Sequence, residues 1–484
     1  MKHTINYGIY ANDEKIYDKK INVNLYDFDV TEVPDFAFRM PYFRTLFKNE
    51  TYSLDLRVNH ESDSVISVDG RRWHNTFAYL PKSTYGESHP DWYSIQGDQL
   101  CYLARGNEQE FNAMFDTFME KFIDVVVSNP GIENITITQE DYASWCTCPA
   151  CTEEIEKYGG AGSITALKFC NKVSDAFEEY KKENNYDRNI NIWFFAYLLV
   201  EDAPVKKDAN GNYQPIAEDA ICRDNVFPFY APLYAKYTQS FYHEDNAASK
   251  DKMDQWKAVS KKICMWTYSV CFSDFLAPYN WINAMKESYV FLKNYNVHFL
   301  FEQSQHLNDP APDFANLKIW LSSKLMWNVN LDINQLIDEY CDNYYKEAAP
   351  AMKELIYYYN ANFNVIENSG GQGGVFSTNL SAEFYPRGTV NKFNELINQA
   401  FESILPIKDV DLDMYETLYD RISLDSLSFR YIDIKLYGDT YGEKELLEKK
   451  MKFKEDATRV GILKTSEKYQ NEGFIDELWV SWGV

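Results

Sequence analysis

Long apolar runs and a surplus of basic residues are both missing from this sequence. No stretch of about 18 apolar residues occurs, so the sequence predicts no membrane-spanning helix. Polar residues follow Met1 without the apolar core of a signal peptide, which indicates either a cytoplasmic protein or a chain whose leader is missing. Acidic residues number 73 against 48 Lys and Arg, and the net charge is −25. Such a chain repels phosphate backbones and anionic membranes, so nucleic acid is not an expected partner, whereas neutral sugars are compatible.

Cysteine is present in an odd number, nine, which argues against a fully disulfide-bonded scaffold. Three of the cysteines form a Cys146-x-Cys148-x-x-Cys151 motif. A zinc site normally needs four ligands, and no distant Cys or His is marked by its spacing as the fourth. A disulfide between two of the three, or a tight loop with free thiols, are the alternatives. No Gly-rich phosphate loop and no Ser-His-Asp arrangement stands out, and no cofactor is expected.

Aromatic residues, by contrast, are abundant. The sequence has 37 Tyr, 31 Phe and 11 Trp, which together make up 16% of it. Aromatic faces pack against the C–H faces of sugar rings, and Tyr hydroxyls supply hydrogen bonds at the rim of a site. The codon bias of an AT-rich genome would explain the same excess, since Asn and Lys are also frequent. The aromatic content therefore favours a sugar-binding protein only slightly.

The chain is longer than a single core usually supports, so two or three domains are expected. Residues 1–33 predict a short β-rich segment, because residues 21–26 alternate apolar and polar side chains. From 34 to 330 short β-prone runs alternate with helical patterns, which is typical of an α/β fold and, with eight runs, of a (β/α)8 TIM-type barrel. Residues 331–484 predict a C-terminal α-helical domain. The eight predicted strands are Phe36–Met40, Ser53–Val58, Asn75–Tyr79, Ile135–Gln139, Ile190–Ala196, Val226–Tyr230, Ile263–Tyr268 and Val297–Glu302.

In such a barrel the functional side chains come from the carboxyl ends of the strands and from the loops after them. Glu140 and Asp141 end the fourth predicted strand, and a pair of carboxyl groups supplies the acid and the charge stabiliser of glycoside hydrolysis. A helix cap or a solvated acidic pair is the structural alternative. Glu302 follows an apolar strand and suits either acid–base work or the binding of substrate hydroxyls. The remaining candidates at strand ends or entrances are His74, Tyr230, Trp266 and Tyr268.

Several segments resemble one known family. Residues 135–151 combine a strand, the acidic pair and the cysteine motif, and a helical pattern follows Gly162-Ser163. Further matching segments are residues 73–77, 89–93, 266–268, 301–303 and 324–350. Together they resemble glycoside hydrolase family 163 over about residues 36–355. The characterised members of that family are barrel enzymes with endo-β-N-acetylglucosaminidase activity on N-glycans.

The resemblance implies a retaining reaction in which the substrate's own 2-acetamido group attacks the anomeric carbon. Asp141 would then orient the acetamido group, and Glu140 would be the general acid. Many relatives have Asn at the position of Glu140, whereas an acidic pair is typical of the catalytically characterised branch. The substrate would be an oligosaccharide or the glycan of a glycoprotein. Its binding residues would be His74, Tyr230, Trp266, Tyr268 and Glu302.

Two other functions stay open at the level of the sequence. A hydrolase of another glycan, such as an α-glucuronidase-like enzyme, would use Glu140 as the acid and Glu302 as the opposing base or nucleophile. An acidic substrate would also need a cationic subsite, for which Arg39, Arg57 and Arg105 are candidates. A barrel that binds glycan without cleaving it is the third possibility.

Overall fold

The computed structural model describes residues 2–11, 14–24, 31–60, 66, 73–367, 374–378, 380–468 and 472–484, with the backbone alone for 2–11, 14–24 and 364–367. The chain begins with an antiparallel hairpin of β1 (Lys2–Ala11) and β2 (Glu14–Asn24). Its register places Lys2 opposite Asn24 and shifts once, between Ile9 and Tyr10. The hairpin lies against the helices that follow the central sheet.

The centre of the molecule is a curled, six-stranded parallel sheet with the strand order β3-β10-β9-β8-β5-β4. A small antiparallel hairpin, formed by β6 and β7, is inserted between β5 and β8. The strands are β3 (Phe38–Tyr42), β4 (Asn134–Thr136), β5 (Asn191–Ala196), β6 (Val205–Lys207), β7 (Tyr213–Pro215), β8 (Val226–Tyr230), β9 (Ile263–Tyr268) and β10 (Val297–Gln303). Parallel strands are usually covered on both faces, and these strands are accordingly apolar on both sides.

Aromatic side chains fill the concave face of the sheet. Trp193 of β5 stacks on Phe299 of β10 at 4.8 Å between ring centroids, and Phe229 of β8 lies 5.5 Å from Phe299. The alternate residues of the same strands, such as Phe194, face the other way and pack against helices. The sheet therefore holds two apolar layers, one inside the curl and one beneath the helices.

Sixteen α-helices accompany these strands in the described part of the chain. They are α1 (Arg44–Phe47), α2 (Glu50–Asp55), α3 (Thr76–Tyr79), α4 (Lys82–Tyr85), α5 (Glu108–Ser128), α6 (Pro149–Lys157), α7 (Ser163–Asn184), α8 (Ala247–Val259), α9 (Trp281–Asn294), α10 (Ala315–Trp327), α11 (Ile333–Tyr344), α12 (Ala349–Glu367), α13 (Arg387–Ile404), α14 (Leu412–Tyr437), α15 (Glu443–Arg459) and α16 (Ile475–Trp482). α7 covers β5 and β8, α9 covers β10, and α10 covers β3. From α11 to α15 each helix packs on the next, which forms the helical C-terminal part. No helix in the described ranges has the length and apolar character needed to cross a bilayer.

Two of the eight predicted strands are wrong. Ser53–Val58 falls on α2 and the turn after it, and the side chain of Asn49 caps that helix. Asn75–Tyr79 falls on α3, and the side-chain amide of Asn75 bonds to the carbonyl oxygen of Thr136 at 2.8 Å instead of joining a ladder. Short apolar runs do not distinguish a strand from a buried helical turn, and tertiary contacts decided both cases.

The sheet is a half-barrel, and closure into a full ring is not seen among the described residues. β3 and β4 are its two edges, and beyond β4 lies one isolated parallel bridge between Ile66 and Asn134. The predicted α/β class and the helical C-terminal part are confirmed, whereas the complete eight-stranded barrel is not. The division into domains at residues 33 and 330 stays a prediction.

A short segment after α15 returns from the helical part to the carboxyl edge of the sheet. The N–H of Phe275, in the loop after β9, donates to the carbonyl oxygen of Thr465 at 2.7 Å. In the same loop the carbonyl oxygen of Phe272 accepts from the N–H of Glu467 at 2.7 Å. Asn308, after β10, accepts two further backbone N–H groups of the segment at 2.9 and 2.8 Å. Residues 463–467 are thus fixed to the strand ends although they follow the sheet by more than a hundred residues.

Candidate active site

A cleft of about 770 Å³ opens at the carboxyl ends of the parallel strands. This volume lies within the range of about 300–1,000 Å³ that is typical of small-molecule sites. The loops after β4, β5, β8, β9 and β10 contribute its walls, together with two segments from the C-terminal part of the chain. Its lining residues are His74, Asp141, Phe195, Tyr197, Ala231, Leu233, Trp266, Tyr268, Phe272, Ser273, Gln303, Leu307, Phe376, Ser466, Glu467 and Lys468.

One wall of the cleft is aromatic, and the strands set its orientation. Trp266 of β9 is half-buried, with its ring centroid 4.3 Å from that of Phe301 and 5.7 Å from that of Phe195. Its indole N–H donates to Oε1 of Gln303 at 3.1 Å, which fixes the rotation of the ring. Because Tyr197 and Tyr268 also line the cleft, the wall combines ring faces with hydroxyl groups, as sugar binding requires.

The structure separates the two carboxyl groups that the sequence predicts as a pair. Asp141 is exposed and lines the cleft. Glu140 does not line it, because its Oε1 accepts from Thr76 Oγ1 at 2.9 Å and from the N–H of Phe77 at 2.8 Å, at the start of α3. The N–H of Tyr142 donates to the carbonyl oxygen of Glu140 at 2.8 Å, so the chain turns at Asp141, and only the second of the two carboxyl groups lines the cleft.

The backbone before Asp141 is held by the side chain of Gln99. The amide nitrogen of Gln99 donates to the carbonyl oxygen of Glu140 at 2.9 Å, and its amide oxygen accepts from the N–H of Glu140 at 3.1 Å. Gln99 is buried, so these bonds are shielded from competition with water. Glu140 is therefore fixed through both its side chain and its backbone, and this restricts the position of the next residue, Asp141.

A second carboxyl group in the cleft, Glu467, has no counterpart among the predicted site residues. Its side chain keeps 37% of its surface exposed, and its Oε1 lies 3.3 Å from Nε2 of His306. Burial in the cleft and, to a smaller extent, the charge of Asp141 raise the pKa of Glu467 to about 7. No motif, strand end or spacing marks this residue in an acid-rich chain. Backbone hydrogen bonds of residues 463–467, together with the side-chain amide of Asn308, bring it to the strand ends.

His74 lines the cleft, although the strand at whose entrance it was expected is absent. Its Nδ1 lies 2.9 Å from the carbonyl oxygen of Gln139. A carbonyl oxygen only accepts, so Nδ1 donates in this contact. His74 has a φ of 50°, in the left-handed region, which is a cost that the surrounding structure must offset.

Glu302 lies outside the cleft, contrary to the expectation of a substrate-binding role. It follows Phe301, which faces the inside of the sheet, and alternation turns Glu302 toward α9 and α10. There it is fully buried and accepts hydrogen bonds from Trp281 Nε1 at 2.8 Å, from Ser322 Oγ at 3.0 Å and from the hydroxyl of Tyr289. Burial raises the pKa of Glu302. These contacts bind the strand to its covering helices.

Tyr230 is also placed away from the cleft. It ends β8 with only 1% of its surface exposed, and burial raises the pKa of its hydroxyl. Of the five expected substrate-binding residues, the cleft therefore contains His74, Trp266 and Tyr268. The residue that follows Tyr230, Ala231, lines the cleft in its place.

The three cysteines of the motif meet a fourth one. The sulfur atoms of Cys101, Cys146, Cys148 and Cys151 all lie within 4.8 Å of one another, and all four residues are buried. Cys101 lies between α4 and α5, far from the motif along the chain, and nothing in its spacing marks it as a partner. The cluster lies behind the loop that carries Glu140 and Asp141.

Solved structures similar to this chain include glycoside hydrolases of families 138, 115 and 84. A GH138 enzyme targeting pectin rhamnogalacturonan II aligns with 9% identity and a TM-score of 0.41, over 94% of this chain and 84% of that chain. A GH115 4-O-methyl-α-glucuronidase with specificity for decorated arabinogalactans aligns with 9% identity and a TM-score of 0.40, over 73% of this chain and 44% of that one. CpGH84B aligns with 10% identity and a TM-score of 0.40, over 88% and 74%.

No curated protein sequence matches this chain significantly. A family model described as a domain of unknown function, DUF4838, matches residues 9–357. The match spans most of the chain, from the first hairpin through the whole parallel sheet to α12. The chain belongs to the DUF4838 family.

Proposed function

We propose that this protein is a glycoside hydrolase and, more narrowly, a retaining, substrate-assisted endo-β-N-acetylglucosaminidase acting on N-glycans. The observation that carries the proposal is the presence of two carboxyl groups, Asp141 and Glu467, in one aromatic-walled cleft. Glycoside hydrolysis needs one protonated carboxyl group and a second group that stabilises the anomeric centre. A pKa of about 7 leaves Glu467 protonated in a large fraction of the molecules at neutral pH.

The proposed reaction assigns different tasks to the two groups. Glu467 donates its proton to the leaving glycosidic oxygen while the carbonyl oxygen of the 2-acetamido group bonds to the anomeric carbon and the C–O bond breaks. Asp141 accepts a hydrogen bond from the acetamido N–H and stabilises the positive charge of the oxazolinium intermediate. Water then attacks the anomeric carbon, the bond between that carbon and the acetamido oxygen breaks to restore the amide, and the water gives a proton to the Glu467 carboxylate, with retention of configuration overall.

Glu140 is a positioning residue in this proposal, whereas the resemblance alone makes it the general acid. Its carboxylate is tied to Thr76 and Phe77 and does not line the cleft. A general acid must come within hydrogen-bond reach of the leaving oxygen. Glu467 lines the cleft, and burial keeps its proton available, so the acid role passes to it.

The aromatic wall supports a neutral sugar as substrate. Trp266, Tyr197 and Tyr268 offer ring faces and hydroxyls, and the preference for an N-acetylglucosaminide rests on the sequence resemblance to glycoside hydrolase family 163. The geometry gives less support to an acidic sugar. Arg39 donates to the backbone carbonyl oxygens of residues 36, 37 and 57, and Arg57 pairs with an acidic residue outside the cleft.

Arg105, the third cationic candidate, lies beside the cysteine cluster, where its guanidinium donates to the carbonyl oxygen of Tyr93 at 3.0 Å. Among the described residues, Lys468 is the one lysine or arginine that lines the cleft. A single lysine does not provide the bidentate recognition with which arginine holds a carboxylate. We therefore expect glucuronide-tipped glycans to remain uncleaved.

The decisive experiment is the digestion of mixed N-glycoproteins, followed by mass spectrometry of protein and released glycan. The wild type is expected to leave one N-acetylglucosamine on asparagine and to be inhibited by a thiazoline mimic of the oxazoline. Glu467→Gln and Asp141→Asn are each expected to slow release by about 100-fold or more. Glu472→Gln, an acid on the same C-terminal segment outside the cleft lining, serves as the matched control and should cleave normally. Glycan binding without any cleavage by the wild type would overturn the proposal in favour of a non-catalytic lectin-like barrel.

A further inference from the structure

The cluster of four cysteines, Cys101, Cys146, Cys148 and Cys151, has the dimensions of a metal site. The sulfur of Cys101 lies 3.8 Å from that of Cys148 and 3.6 Å from that of Cys151. Four thiolates around a tetrahedral zinc ion at about 2.3 Å are separated by about 3.8 Å from one another. A disulfide would bring two sulfur atoms to about 2.0 Å, and all four cysteines are free thiols here.

Backbone N–H groups already point at these sulfur atoms. The N–H of Arg105 donates to the sulfur of Cys101 at 3.1 Å, and the N–H of Cys151 donates to that of Cys148 at 3.4 Å. Hydrogen bonds of this kind stabilise the thiolate over the thiol, and the thiolate is the form that binds metal. The second contact is made where the Cys148-Pro149 step starts α6.

The backbone shortly after Cys101 adopts strained conformations close to these contacts. Ala104 and Arg105 have φ angles of 42° and 52°, which non-glycine residues rarely adopt. Gly106 follows with a φ of 84°, and a Cβ atom there would lie 2.9 Å from Cβ of Ala150, inside the cysteine motif. Strain of this kind is maintained only where it is offset by other interactions, and it brings two distant segments into close contact at the cluster.

We propose that Cys101, Cys146, Cys148 and Cys151 bind one structural zinc ion as four thiolates, and that each thiol releases its proton to solvent on binding. All four positions of a tetrahedral ion are filled by protein, and the sulfur atoms are buried, so the ion has no open position for chemistry. Soft thiolate ligands in a closed tetrahedral set are typical of zinc.

The ion would join two segments that flank the candidate active site. Gln99, which holds the backbone of Glu140, precedes Cys101 by two residues, and Cys146 follows Asp141 by five. Metal binding at this point closes the loop between them, and the binding free energy contributes to folding. This inference does not depend on the proposed activity, because zinc content is measured without a substrate.

The test is the metal content of the purified 484-residue chain, prepared with reductant and without added chelator. We expect about one zinc per chain, and a Cys101→Ser variant that loses most of it. Cys222→Ser, a buried cysteine outside the cluster, is the matched control and should keep its zinc. Zinc below about 0.1 per chain in the wild type, two disulfides within the cluster, or iron in place of zinc would each overturn the proposal.

A second measurement covers the case in which Cys101→Ser does not fold. Cobalt(II) exchanged into the wild-type protein is expected to give the thiolate-to-metal charge-transfer band and the strong d–d bands of a tetrahedral tetrathiolate site. A spectrum of octahedral cobalt, with weak d–d bands and no thiolate band, would contradict the assignment. Both measurements are unaffected if the protein proves to have no glycosidase activity.

Discussion

Glu302 and Glu467 both have a raised pKa because burial disfavours their charged forms, yet their surroundings differ. Glu302 has no exposed surface, and three side-chain donors from α9 and α10 surround its oxygen atoms. Glu467 keeps more than a third of its side-chain surface open to the cleft, where Asp141 is the nearby charge. A raised pKa alone is therefore no sign of catalysis. Glu467 can contact a substrate in the cleft, whereas Glu302 contacts only the covering helices. Access to the cleft therefore distinguishes a candidate acid from a structural carboxyl group.

The largest expected effect concerns the acid in the cleft. Glu467→Gln removes the transferable proton and keeps the shape of the side chain, so we expect kcat to fall by about 100- to 10,000-fold. Steady-state hydrolysis of an activated aryl glycoside with a good leaving group, beside a natural glycan, checks this. The aryl substrate needs less acid assistance and should lose less. An equal loss on both substrates, or no loss on either, would contradict the acid role.

Glu302 should respond in the opposite way, with a large effect on stability. Glu302→Ala removes the acceptor of Trp281 Nε1, which costs about 1–3 kcal/mol as a buried unsatisfied donor, and leaves the hydroxyls of Tyr289 and Ser322 with only each other at 3.2 Å. We expect a clear loss of thermal stability, measured by calorimetry. Glu302→Gln keeps one acceptor oxygen and should lose less. A Glu302→Gln variant that melts like the wild type but is catalytically dead would instead support a role in the reaction.

The pH dependence of the activity tests whether Glu467 is the acid. Glu467 must be protonated to act, so activity should be high below pH 7 and fall about tenfold per pH unit above it. The charge of Asp141 contributes to the raised pKa of Glu467. In Asp141→Asn this pKa should be lower, so the fall in the residual activity should begin at a lower pH than in the wild type. The raised pKa also affects folding. The contribution of Glu467 to the free energy of unfolding is fully present below the pKa that this residue has in the unfolded chain, and it is lost as the pH rises toward 7. A kcat/KM profile that is flat between pH 6 and 8 would exclude Glu467 as the acid.

The sequence predicts some of the residues in this cleft but not others. Strand-end placement finds Asp141, Trp266 and Tyr268, because the carboxyl ends of parallel strands meet at one edge of a sheet. The same criterion fails for Glu302, since a shift of one residue along a strand moves a side chain to the other face. The sequence pattern does not specify that register at the end of a strand.

Contacts between distant segments are the part that the sequence does not predict. Glu467 reaches the cleft through backbone hydrogen bonds to the loop after β9 and through the side chain of Asn308, and neither the backbone groups nor a single Asn in a loop marks that contact in the sequence. Cys101 joins the cysteine motif from another loop for the same reason. Ser53–Val58 and Asn75–Tyr79 were predicted as strands and form helical turns instead, because short apolar runs are compatible with both.

The smallest expected effect concerns the positioning of Asp141. Gln99→Ala removes both hydrogen bonds to the backbone of Glu140, and a pair of buried hydrogen bonds of this kind is worth about 1–3 kcal/mol. If part of that free energy orients Asp141, kcat should fall by about tenfold while KM changes little, because the bound sugar is held mainly by the aromatic wall. Gln99→Glu turns a carboxylate oxygen toward the carbonyl oxygen of Glu140 and buries a charge, so it should lose at least as much as Gln99→Ala. A loss of thermal stability with an unchanged kcat would mean that Gln99 supports only the fold, and the position of Asp141 would then depend on the bonds of Glu140 to α3.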